Sequence, residues 1–184
     1  KQEVEVPFQE TEIDATILKD KSYYRVFEVS QNVMSDPRAS YFHKSIGGYS
    51  AVKPRRMQKL FDYQIANNNM EVVNMLNVKY LIQTNEKGEK IAIHNTQANG
   101  NAWFVKEIKL VSDADAEMKA LDKLETKKVA VINSKDFNVG FKPSVTDSTS
   151  TIKLTSYAPN ELKYSSNNTK NGYAVFSEMY YKNG

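Results

Sequence analysis

The sequence predicts an α+β protein, with a small mixed α/β unit of two to three helices over residues 1–140 and an antiparallel, sandwich-like β segment over 141–184. Three observations carry this. Apolar residues recur at helical spacing from Met57 to Ile65, and β-branched and aromatic runs separated by turn residues recur from 22 to 133. After about residue 140 the composition shifts to Ser, Thr, Asn and Tyr with period-two alternation.

Taken in order, Glu-Val-Glu-Val at 3–6 suits a short strand that Pro7 ends. Residues 8–19 are ambiguous, with Phe8, Ile13, Ile17 and Leu18 at weak helical spacing. "SYYRVFEVS" (22–30) reads as a strand, and "QNVMSDPRAS" (31–40) as a loop, because Asp-Pro disfavours helix. Pro54 suits a helix first turn, and Met57, Leu60, Phe61 and Ile65 form the apolar stripe that follows it. "NNN" (67–69) ends that helix, and a second short one turns Met70, Val73 and Leu76 inward. "VKYLIQ" (78–83) is a strand, joined through "NEKGEK" to "IAIH" (91–94) as a hairpin.

"NAWFVKEIKLV" (101–111) reads as one strand. Ser112 then caps a helix, with Asp115 three residues on as in a capping box and Ala114, Met118 and Leu121 as the buried stripe. "KVAVIN" (128–133) completes a strand–helix–strand unit. In the tail, "TIKLTSYA", "ELKYSSNN" and "YAVFSEMYY" alternate between Pro-Asn and Lys-Asn-Gly turns. Three such strands bury too little alone, so they are expected to pack on earlier segments or to be completed by chain beyond Gly184. Both ends read as cuts through a longer protein.

The 184 residues are 40% hydrophobic and 26% charged, enough for a sizeable core. A net charge of +3 is too small to indicate a nucleic-acid partner. Without cysteine there is no disulfide, no thiolate zinc site and no cysteine nucleophile, and two histidines disfavour a histidine-rich metal centre. No cofactor or metal is therefore expected. No run reaches the ~18–20 apolar residues that cross a bilayer, and no signal peptide starts at Lys1. The core periodicities lead us to expect a soluble monomer.

The least generic stretch is "YFHKSIGGYSAVKPRRMQK" (41–59). In an extended segment Tyr41 and His43 share one face. Gly47 and Gly48 permit close backbone approach, and Tyr49, Lys53, Arg55 and Arg56 supply an aromatic ring and three cations near a helix start. These eight residues are the candidate ligand set, for a phosphate or a carboxylated sugar. The spacing is neither a Walker loop nor a dinucleotide fingerprint, and a glycine turn before a solvated helix face accounts for the same residues. Trp103, between Ala102 and Phe104, is expected in the core. No catalytic residue is assigned: His43 and His94 lack a local partner, Asp113 and Asp115 sit where helix capping explains them, and no Gly-x-Ser-x-Gly elbow occurs.

"SYFHKSIGGYSAVKPRRMQKLFDYQI" (40–65), "VVNMLNVKYLI" (72–82), "GNAWFV" (100–105) and "PNELKYSSNNTKNGYAVFSEMYYKNG" (159–184), in that order, resemble the extracytoplasmic part of YfhO-type bacterial membrane proteins. The resemblance implies a polytopic membrane parent similar to the GT-C glycosyltransferases, which use polyprenyl-phosphate-linked sugars, with links to cell-envelope glycosylation. The chain would be its extracytoplasmic domain, periplasmic in a two-membrane bacterium. Its partners would be the parent's membrane helices and a glycan or lipid-linked sugar. The acidic catalytic residues of such enzymes lie on loops near the membrane helices, so the chain itself is expected to be non-catalytic. The alternative is a carbohydrate- or protein-binding module with no transferase attached. "DST" (147–149) also matches a short O-glycosylation signal of some Gram-negative periplasms.

Overall fold

The computed structural model describes residues 8–29, 33–140 and 149–179. The strand expected over 3–6, most of the Asp-Ser-Thr at 147–149 and the end of the last expected strand lie outside them. The described residues form a mixed α+β fold of five α-helices and nine strands. They divide into two units, Lys1–Lys53 with Val78–Gln97, and Pro54–Asn77 with Ala98–Gly184. Of the segment from 141 onward, the described residues 149–179 belong to the second.

In the first unit, helix α1 (Glu12–Leu18) settles the ambiguity of 8–19, and it does so through its cap. Thr11 Oγ accepts from the Asp14 amide at 3.4 Å, and the Asp14 carboxylate accepts from the Thr11 amide at 2.9 Å. This reciprocal pair satisfies two of the donors that a helix start leaves over. The helix lays Ile17 against Val26 and Ile82, all but fully buried, with Ile13, Tyr24, Tyr80 and Ala92 packed around them.

Strands β1 (Arg25–Glu28), β2 (Val78–Thr84) and β3 (Lys90–His94) form a sheet in that order, β1 parallel to β2 and β2 antiparallel to β3. The hairpin turns as expected at 85–89, with Gly88 at φ 80°. The loop expected over 31–40 is corrected at its end, where Arg38–Phe42 form the short helix α2. The Asp-Pro pair explains both outcomes: proline disfavours helix for Asp36, whereas Pro37 itself suits a helix start. The chain then returns beside β1, where Val26 donates to Lys44 O at 2.9 Å and accepts from the Ile46 amide at 3.1 Å. This makes a parallel bridge from Val26 to Ser45. Strand β1 thus lies between residues 44–46 and β2, with all three running the same way.

The second unit opens with α3 (Arg55–Leu60), which follows Pro54 as expected and widens into a π-helical turn over Phe61–Ile65. Phe61 and Ile65 are buried, while Met57 and Leu60 are half-buried. The wide turn also carries Gln64 inside. Its amide donates to Met118 O and Asp122 Oδ1, both at 2.9 Å, and its oxygen accepts from Asn69 at 2.7 Å. Asn68 ends the turn at φ 59°, and Asn69 caps α4 (Met70–Met75). Met70 is exposed, contrary to expectation, because the buried stripe of α4 runs through Val72, Val73 and Leu76.

The single strand expected at 101–111 is two. Strand β4 (Ala102–Val105) pairs antiparallel with β9 (Tyr173–Phe176), and β5 (Glu107–Val111) pairs parallel with β6 (Val129–Asn133). Between them the chain changes partner at Lys106, whose amide donates to Lys128 O at 2.7 Å. Helix α5 (Ala114–Ala120) connects β5 to β6, so the strand–helix–strand unit stands. Its cap is Asp113, not Ser112. Asp113 Oδ1 accepts from the Ala116 amide at 2.9 Å, and the Ser112 hydroxyl supports Asp113 at 2.7 Å. Ala114 is exposed rather than buried, while Met118 and Leu121 are half-buried. In the tail, β7 (Thr151–Ala158) and β8 (Glu161–Asn167) form a hairpin, and β9 leaves it for β4. The tail is thereby tied to the earlier chain by backbone pairing.

Trp103 is 5% exposed and donates from its indole to Thr126 O at 3.0 Å. Thr126 is in turn held by Glu71, through its amide at 2.9 Å and its hydroxyl at 3.0 Å. Trp103→Ala is expected to destabilise the second unit by about 3–5 kcal/mol, and Trp103→Phe by less, in urea unfolding followed by far-UV circular dichroism. A loss under ~1 kcal/mol for the alanine variant would mean that this ring is not a core residue.

Candidate functional site

The stretch 41–56 divides between the units, with residues up to Lys53 in the first and Arg55 and Arg56 in the second. Tyr41 and His43 do not share the face of an extended segment, as expected from the sequence. Tyr41 lies in the last turn of α2 and is half exposed, with its ring edge-on to Phe8 at 5.6 Å and to Phe42 at 5.0 Å. His43 follows in extended conformation and turns inward, its side chain 1% exposed.

His43 finds its partner 29 residues upstream: Nε2 lies 2.9 Å from Asp14 Oδ1. The other oxygen, Asp14 Oδ2, is ion-paired with Arg38 and accepts from the Thr11 amide and hydroxyl at 2.9 and 2.7 Å. The Arg38 guanidinium also lies over the Phe42 ring, 5.3 Å from its centre. Asp14 has no exposed surface. Burial works to raise its pKa, but the bonds from Thr11, Arg38 and His43 outweigh it and hold the carboxyl well below the usual range. General acid–base work needs a substrate within hydrogen-bond reach, and the buried His43 ring offers none. The Asp14–His43–Arg38 group is an anchor joining α1, α2 and the segment after it.

The glycines serve packing as well. A Cβ on Gly47 would stand 2.6 Å from Val33 O, and one on Gly48 would stand 2.8 Å from Ser40 Oγ. Gly48 also holds φ 99° and donates to Val33 O at 2.6 Å. Lys53 reaches back and donates to Gly48 O at 3.2 Å and to Met34 Sδ at 3.7 Å. In the second unit Arg56 is ion-paired with Glu117 at 2.8 Å and Asp136 at 3.5 Å, and Arg55 is exposed. Of the eight candidates, then, His43, Gly47, Gly48 and Lys53 shape the first unit from within. Tyr41, Tyr49 and Arg55 lie open, and Arg56 is exposed but paired.

Sequence reading missed Asp14 and Arg38. The Thr11-x-x-Asp14 capping spacing was the available signal for the first, and nothing local marks the second. Among the described residues no group of three His, Cys, Asp or Glu is placed to hold a metal ion, and no helix is long and apolar enough to cross a membrane. No family model matches the chain, and neither the characterised proteins nor the solved structures compared with it yield a match.

Three outcomes are expected. Asp14→Ala leaves Arg38 and His43 buried without their anion and should cost about 3–5 kcal/mol in urea unfolding. Because the folded pKa of Asp14 is depressed, its stabilisation is complete above the unfolded carboxyl pKa of ~3.9 and is lost as pH falls below it. Asp20, held by Lys79, Ser22 and Tyr80 against the cost of burial, acts in the same direction. Acid titration by circular dichroism should therefore show stability falling below about pH 4, and Asp14→Asn should make that fall shallower. Gly48→Ala, strained at positive φ, should destabilise by ~1 kcal/mol or more, and a neutral result would show that the turn can relax.

Proposed function

We propose that the chain is a non-catalytic extracytoplasmic domain of a polytopic membrane protein, YfhO-like and similar to GT-C glycosyltransferases. In this reading it supports transfer of lipid-linked sugars to cell-envelope glycans by contacting glycan or the polyprenyl-phosphate-linked donor. The membrane helices and the catalytic acids belong to the parent chain outside these residues.

The observation that supports a glycan-contacting surface is the exposure of Tyr41 and Tyr49, 51% and 71%, on one segment whose backbone is pinned from inside. His43 anchors it at one point, and Gly48 with Lys53 at another. Exposed rings on a fixed backbone offer flat apolar faces at low entropic cost, as sugar rings require. The mild basicity of the chain suits a lipid phosphate near an anionic membrane surface.

The test is titration of envelope glycans and polyprenyl-phosphate sugar analogues against the wild type, Tyr41→Ala/Tyr49→Ala and Arg55→Ala/Arg56→Ala. Loss of the two rings should weaken glycan binding about tenfold or more, given ~1.4 kcal/mol for the pair. Loss of the arginines should act on phosphate-bearing ligands only. Equal binding by all three proteins, or none by the wild type, would overturn the assignment of this surface. About ten or more apolar segments of ~20 residues in the parent gene would be expected, and their lack would leave a binding module without a transferase.

A further inference from the structure

The sequence holds Asn-Gly pairs at 99–100 and 171–172, besides one at 183–184 that lies outside the described residues. Asparagine before glycine is open to attack by its own backbone, because the next amide nitrogen can reach the side-chain carbonyl carbon. Glycine, lacking Cβ, neither crowds that nitrogen nor restricts the backbone turn that the attack needs. Tertiary structure decides whether a given pair reacts, since it either lets the side chain swing onto the next amide or holds it away.

The first pair is held. Asn99 is 5% exposed, and its Nδ2 donates to Thr126 Oγ1 at 3.0 Å. Its own amide donates to Asn74 O at 2.9 Å, and its carbonyl accepts from Lys127 Nζ at 2.6 Å. Side chain and main chain are thus fixed together, and the bond to Thr126 must break before the Asn99 amide can turn toward Gly100.

The second pair is open. Asn171 is exposed and lies between β8, which ends at Asn167, and β9, which begins at Tyr173. The connection is fastened on its early side: Ser150 Oγ donates to Asn168 Oδ1 at 2.8 Å, and Asn168 Nδ2 donates to Lys170 O. That fastening stops one residue short of Asn171, whose side-chain amide has no hydrogen-bond partner among the described residues. Neither Asn171 nor Gly172 belongs to a helix or strand. Exposed, irregular backbone of this kind opens at little cost and samples the conformations that ring closure needs.

We propose that Asn171 is a self-modification site, converting in place to aspartate and isoaspartate. The Gly172 nitrogen gives its proton to solvent and bonds to Asn171 Cγ. The Cγ–Nδ2 bond breaks, Nδ2 leaves as ammonia, and a cyclic imide remains. Water then opens the ring. Attack at Cγ restores the main chain and gives aspartate, whereas attack at the main-chain carbonyl carbon routes the chain through the side chain and gives isoaspartate. The overall change consumes one water and releases one ammonia. Either product places a carboxylate just before β9, the strand that ties the tail to β4, and isoaspartate also lengthens the backbone there. The site does not depend on the glycan reading.

The test is incubation of the whole chain in mildly alkaline buffer, followed by tryptic digestion and mass spectrometry. Cleavage after Lys170 and Lys182 isolates residues 171–182, in which Asn171 is the only asparagine. With time this peptide should gain the mass difference between an amide and an acid and should separate into aspartyl and isoaspartyl forms. Conversion at Asn99 should be at least ~10-fold slower in the folded chain, and the two rates should converge in urea, where neither residue is held. Gly172→Ala should slow conversion at Asn171, because its Cβ crowds the attacking nitrogen. If that variant fails to fold, the comparison of Asn171 with Asn99 in the wild type still decides. An unchanged 171–182 peptide would overturn the proposal. So would equal rates at the two residues in the folded chain, a difference that persists in urea, or a folded Gly172→Ala variant that converts as fast as the wild type.

Discussion

A carboxylate removed from water stays ionised only where its neighbours supply the stabilisation that water has lost. Asp14 is such a group, and the first unit is arranged to meet its requirement. Thr11 supplies an amide and a hydroxyl, Arg38 a guanidinium and His43 a ring nitrogen. Those partners come from the start of α1, from α2 and from the turn after it, so one buried charge holds three pieces of chain that share no sheet. The bridge from Val26 to residues 44–46 follows directly from His43, since it fixes where the chain re-enters beside β1. The close contacts of Gly47 and Gly48 with Val33 and Ser40 follow in the same way.

The second unit solves a similar problem with neutral groups. Thr126 bonds to Glu71 and Asn99 and accepts from the Trp103 indole, so the approach to β6 is fastened to α4 and β4 by hydrogen bonds. Gln64 does the same for α5 through the π-helical turn. In both units the buried polar side chains join elements distant in sequence, whereas the apolar residues mainly decide which face of each element is inside. Polar groups are directional and leave a penalty when unmet, so they specify which partner is correct.

This division bears on function. The residues of 41–56 with the most distinctive chemistry in the sequence, His43 and the double glycine, are occupied by folding. The surface they support presents plainer residues, Tyr41 and Tyr49. A motif conspicuous in a sequence can thus be the scaffold of a surface instead of its contact residues.

The sequence by itself determined the α+β class, most strands, the helix after Pro54, the break at the three asparagines, the hairpin around Gly88 and the core placement of Trp103. Each is a local matter of periodicity, turn chemistry or propensity acting over a few residues. Tertiary structure alone decided the rest. It split 101–111 between two sheets, because β4 and β5 have different strands to pair with and nothing at Lys106 announces it. It gave the cap of α5 to Asp113 over Ser112, since both can accept and the backbone geometry chooses. It made a short helix of 38–42 and turned His43 inward, because Asp14 and Arg38 lie far along the chain and a buried ion pair has no local signature. The candidate site was legible as a list of residues and not as an arrangement, for the same reason: burial and partnership are properties of the folded neighbourhood, which spacing along the chain does not encode.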